Sequence, residues 1–94
     1  MAKQSSNQLL AVGAMFLSGS VQKMKDIQEL SPTAIAKGLG LNHSRYIEKL
    51  YKPEGFTIKH IIKLANLIDV DPHIILNVIT KQLSPSIKIT GRIS

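Results

Sequence analysis

The sequence predicts an all-α fold, and two observations predict it. Apolar residues recur at i, i+3, i+4 and i+7, most plainly at Ile58, Ile61, Ile62, Ala65 and Ile68. Residues that open helices stand directly before such stretches, as Ser31-Pro32, Asn42, Thr57 and Asp71-Pro72. Apolar–polar alternation, the period of a strand, is found in the tail over residues 87–93. The expectation is a five-helix bundle over residues 21–83, preceded by an extra N-terminal apolar helix within residues 1–20. A C-terminal tail, residues 84–94, has the pattern of a dimerisation strand.

Taken in order, residues 1–7 are polar and expected to fray. From Gln8 to Leu17 the apolar residues are too dense for a one-sided stripe, which predicts a helix buried on several sides. Ser18-Gly19-Ser20 reads as a break with Ser20 as the next cap. Val21, Met24 and Ile27 then predict a bracing helix that Leu30 closes. Ser31 serves as N-cap and Pro32 as the first residue of a helix over 32–39, whose Ile35, Ala36 and Leu39 face the core. Gly38 inside this helix costs about 1 kcal/mol relative to Ala, so either a tight approach or simple neutral drift accounts for it. Gly40 suits the left-handed residue that ends a helix. Asn42 caps a helix over 43–51 with Tyr46, Ile47 and Leu50 turned inward. Lys52 to Thr57 is a loop, Thr57 caps the helix that follows, and Asp71-Pro72 opens the last one, with Ile74, Ile75, Val78 and Ile79 inward. Ser84-Pro85-Ser86 is expected to end the helical body.

Ninety-four residues make one small domain, and 44% hydrophobic content with only 4% aromatic makes its core aliphatic. Twelve Lys and Arg against six Asp and Glu give a net charge of +6, which favours a polyanionic partner. Residues 31–68 hold six of those cations against Glu48 and Glu54, so the surplus gathers there. The chain has no cysteine, which removes disulfides and thiolate chemistry and fits a cytoplasmic setting. Leu9 to Leu17 loosely resembles a secretory signal core, but one leading lysine and an apolar run far short of the roughly 20 residues that span a bilayer argue against it.

Residues 31–50 read as two short helices joined at a glycine turn, the second opening with Asn42, His43, Ser44 and Arg45. That is the pattern of a helix-turn-helix laying its second helix in the DNA major groove. Arg45 is the first candidate for base readout, since a guanidinium makes two parallel bonds to guanine O6 and N7. His43 and Ser44 are short enough to touch bases or phosphates, while Asn42 is assigned to capping. Lys49, Lys52, Lys59 and Thr57 are candidates for phosphate, and Thr33 in the preceding helix completes the set. Glu48 is open between accepting from cytosine N4, repelling phosphate and pairing with Arg45. His43, His60 and His73 do not share ligand spacing, so no metal is expected. With neither a Ser-His-Asp set, a glycine-rich phosphate loop nor paired carboxylates, no catalytic residues and no cofactor are expected.

Over residues 21–79 the chain resembles the phage repressor/Cro-like (XRE-type) helix-turn-helix family, also called lambda repressor-like. The resemblance rests on Ser31…Ala36…Gly40, the polar Asn42-His-Ser-Arg45 opening, and Ile58…Leu64-Ala65…Leu67-Ile68-Asp69-Val70-Asp71-Pro72. It implies a five-helix repressor-like bundle, double-stranded DNA as partner, a homodimer on a pseudo-palindromic site, and repression of transcription. Two positions depart from the family. Pro32 replaces the glutamine that clamps phosphate, and Leu50-Tyr-Lys-Pro-Glu-Gly55 replaces the usual Glu-Asn-Gly. Phosphate contacts around that loop therefore fall to Lys52, Thr57 or Lys59. The rival readings are an antitoxin-like or other protein-interaction module that grips its partner with the N-terminal apolar helix, and a basic membrane-surface protein using residues 9–17.

Overall fold

The computed structural model describes residues 3–87, all of whose regular structure is helical. Five α-helices follow in order: α1 (Lys3–Ser18), α2 (Pro32–Leu39), α3 (His43–Tyr51), α4 (Ile58–Ile68) and α5 (Pro72–Ile87). Short 3-10 turns lie at Met24–Ile27 and Pro53–Gly55. The fold is all-α.

The capping residues act where their side chains find a free N–H. Asn42 Oδ1 accepts from the Arg45 N–H at 2.8 Å, Thr57 Oγ1 from His60 N–H at 3.1 Å, and Asp71 Oδ1 from His73 N–H at 2.8 Å. Gly40 ends α2 at φ +75°, a conformation that costs glycine nothing. Ser31 behaves differently. It occupies the N-cap position but at φ +48°, and its hydroxyl donates to Gln8 Oε1 of α1 at 3.2 Å instead of capping α2. Ser20 does not open a helix either; its N–H donates to the Met15 carbonyl at 3.0 Å and closes α1.

The expected bracing helix over 21–30 is replaced by one 3-10 turn. Its main-chain N–H groups bond three residues back, Asp26 to the Lys23 carbonyl at 3.0 Å, Gln28 to Lys25 at 3.0 Å and Leu30 to Ile27 at 2.9 Å, while side chains hold the N–H groups that open the segment. Asp26 Oδ2 accepts from Gln22 N–H at 2.9 Å and Lys23 N–H at 3.1 Å, and Gln82 Oε1 of α5 takes Met24 N–H at 2.8 Å. Met24 and Ile27 are nonetheless completely buried, so spacing placed the side chains correctly while misjudging the backbone.

Two faces also differ from expectation. On α4 the buried stripe is Ile61, Leu64, Ala65 and Ile68, whereas Ile58 and Ile62 are 66% and 46% exposed. The α1, α2 and α5 helices all pack on α4, and their positions decide which stripe is covered. On α1 burial is one-sided: Leu9, Val12 and Phe16 enter the core while Leu10 and Leu17 stay exposed. α1 also begins earlier than expected, at Lys3. α5 runs through Ser84-Pro85-Ser86 to Ile87, because proline's fixed φ is compatible with a helix and its missing N–H removes only one bond near the end. Residues 88–94, with most of the expected strand, lie outside the described residues.

Two glycines set how near α4 its neighbours come. A Cβ on Gly13 would run into the main-chain carbonyl oxygen of Ile68 and meet Val70 Cγ1 at 3.2 Å. A Cβ on Gly38 would meet the methyl groups of Leu67, which supplies the tight approach that its position in α2 suggested. In the core, Tyr46 is wholly buried and its hydroxyl has no partner among the described residues, and burial pushes its phenol well above the ordinary range.

Gly13→Ala should cost about 2 kcal/mol or more, since a backbone oxygen gives no room. Gly38→Ala should be nearly neutral, as Leu67 can change rotamer and a helical alanine regains about 1 kcal/mol. Urea unfolding of both variants checks the difference. Tyr46→Phe, measured likewise, should stabilise by about 1 kcal/mol because it removes an unsatisfied buried hydroxyl.

Candidate nucleic-acid interface

α3 is two-sided. Tyr46 and Leu50 are fully buried and Ile47 is half-buried, which fixes the helix to the body. His43, Ser44, Arg45, Glu48 and Lys52 are exposed along the opposite side. The turn Gly40-Leu41-Asn42 sets α3 against α2, its Leu41 N–H donating to the Ala36 carbonyl at 2.9 Å.

Both ends of α3 are held. At the start, the Asn42 cap occupies the main-chain N–H of Arg45, and that residue's guanidinium makes no bond among the described residues. Glu48 does not pair with Arg45. At the far end, Tyr51 donates its hydroxyl to Gln28 Oε1 at 2.9 Å and lies beneath the Lys25 ammonium, 5.8 Å from the ring centre. Lys49 is half-buried, its Nζ donating to the Gly55 carbonyl at 3.1 Å. This ties the 3-10 turn to α3 and leaves two ammonium protons for other acceptors. Glu48, Lys49, Lys52, Glu54 and Gly55 together line a shallow hollow of about 200 Å³.

Thr57, Lys59 and Lys63 lie on the neighbouring first turns of α4. The Thr57 hydroxyl is committed to capping, whereas Lys59 and Lys63 are exposed. Thr33 is exposed in the first turn of α2 and makes no side-chain hydrogen bond among the described residues. The residue that sequence reasoning missed here is His60. Its Nδ1 accepts from the Thr57 N–H at 3.1 Å, completing a reciprocal capping box, and its ring meets Phe56 edge-on at 6.2 Å. Thr57-Ile-Lys-His60 has capping-box spacing, but with histidine where Glu or Gln is the familiar signal. Partial burial holds the imidazole below its usual range, and Lys49, Lys63 and Lys59 add to the effect. Lys49 of α3 and the α4 lysines thus act on one small region, and the charges that bear on it are positive.

Set against known protein families, curated proteins and solved structures, the chain gives no match.

The depressed His60 basicity fixes the sign of a pH effect on stability. The folded chain takes up this proton less readily than the unfolded chain. The contribution is therefore intact above the unfolded value near ~6.5 and is lost as pH falls below it. His60→Gln keeps a capping-box partner and removes the titration. Urea midpoints measured from neutral to mildly acidic pH should fall more for the parent chain than for this variant.

Proposed function

We propose that the protein is a sequence-specific double-stranded DNA-binding transcriptional regulator, acting as a repressor, with α2 and α3 as a helix-turn-helix and α3 as the reading helix. The observation that carries this reading is the exposed opening turn of α3. Its His43, Ser44 and unpaired Arg45 stand on a helix whose other side is anchored by buried Tyr46 and Leu50. Such a turn can enter a major groove, with Arg45 bonding guanine and the two short side chains reaching bases or the adjacent phosphates. Lys49, Lys52, Lys59 and Lys63 supply the sequence-independent attraction to the backbone. Glu48, unpaired on the same side, is free to accept from a cytosine amino group or to reject phosphate. The likeness to the phage repressor/Cro-like family over residues 21–79 supports the same reading. It adds a homodimer, with reading helices about 34 Å apart on successive turns of the duplex, and the lack of cysteine fits a cytoplasmic location. No helix among the described residues is long and apolar enough to cross a membrane.

A second reading has its own observation. Leu10 and Leu17 are exposed on α1, as an antitoxin-like module gripping a protein partner would require. Salt separates the two, because DNA affinity falls steeply with ionic strength while an apolar grip does not.

Selection from random duplexes supplies a preferred site for the decisive measurement. Arg45→Ala should weaken binding to that site by about 1–3 kcal/mol while changing binding to random DNA only by the loss of one charge. Equal losses on both duplexes would reduce Arg45 to a generic cation and reject the assigned reading contact.

A further inference from the structure

His60 occupies an unusual position among the cations of this face. It is half-buried beside Phe56, and it receives the Thr57 N–H at Nδ1, so the neutral ring carries its proton on Nε2. Lys49 reaches this region from α3, with its ammonium bound to the Gly55 carbonyl at 3.1 Å. Lys59 and Lys63 flank it on α4, at the preceding position and one turn onward. Glu48 of α3 and Glu54 of the 3-10 turn line the neighbouring hollow with Lys49 and Lys52, and neither figures among the charges acting on the ring.

We propose that His60 is a conditional phosphate ligand, uncharged in the free chain and a cation when DNA lies on the face formed by Lys49, Lys59 and Lys63. This rests on the DNA-binding reading and deepens it. In the free chain a fourth positive charge is opposed by three lysines. A phosphate backbone laid on those lysines cancels the opposition and rewards the added charge. Protonation gives Nδ1 a hydrogen, so the Thr57 N–H loses its acceptor. The other half of the box, from His60 N–H to Thr57 Oγ1, does not involve the ring and survives. Because linkage is reciprocal, DNA that promotes proton uptake must itself bind more tightly as protons become available. The interface then gains one cation on acidification through the ordinary histidine range near ~6.5.

The test uses the full chain and a mixed-sequence 20-base-pair duplex at constant salt. Between pH 7.5 and 5.5 the parent chain should gain about tenfold in affinity, the equivalent of a one-unit change in proton affinity. Its log–log salt slope should steepen by about 0.9, the signature of one additional phosphate contact. His60→Gln should lose most of both changes. Imidazole nitrogen shifts of the parent chain, which need no variant, should show His60 titrating at higher pH in the complex than in the free protein. Equal pH profiles for parent and variant would assign the proton elsewhere, His43 being the alternative. An unmoved His60 midpoint in an intact complex would also reject the proposal. Absence of salt-dependent duplex binding by either protein would reject the DNA reading together with it.

Discussion

Three helices close on α4, and how near they come is the constraint on which the molecule depends. α4 presents Ile61, Leu64, Ala65 and Ile68 to the interior, and α1, α2 and α5 all pack against it. Two of those neighbours carry a glycine where a Cβ would meet α4 residues, Gly13 on α1 against Ile68 and Gly38 on α2 against Leu67. Interiors are packed densely enough that one extra methyl is felt at buried Gly13, which faces a backbone oxygen, whereas exposed Gly38 meets only the movable end of Leu67. The placement of α2 governs the Gly40 turn, and the turn governs where α3 begins. The exposed side chains of α3 therefore owe their position in part to how α2 packs on α4.

Local chemistry made much of this legible. Asn42, Thr57 and Asp71 each bond an N–H two or three residues ahead, and Gly40 needs only its own freedom from a Cβ, so short stretches of sequence carry the whole signal. The end of α2 and the starts of α3, α4 and α5 follow from those residues. What was not legible depends on distant partners. The Met24 N–H is taken by Gln82, 58 residues away, which no local period encodes. The buried face of α4 was misjudged because Ile58 and Ile62 are as apolar as the residues that are covered, and only the arrangement of neighbouring helices distinguishes them. Pro85 was a plausible terminator, yet a helix can absorb one missing donor near its end.

The candidate interface divides similarly. The outward position of His43, Ser44, Arg45, Glu48 and Lys52 follows from helical geometry once Tyr46 and Leu50 are inside. Lys49 was readable as a cation but not as a tether, because its bond to Gly55 depends on the path of the intervening turn. His60 was hidden by its residue type. Its role in the cap and its proximity to lysines from two helices emerge only when α3 and α4 are brought together.

The two glycines also differ in how their replacement can be repaired. Gly38 faces the movable end of a side chain, so a shorter residue at position 67 offers a compensating change, and the two sites can drift as a pair. Gly13 faces an oxygen that every residue at position 68 would carry. No exchange of that neighbour's side chain can restore the space. Intragenic suppressors of a Gly13 lesion would have to shift an entire helix, whereas those of a Gly38 lesion have a one-residue route.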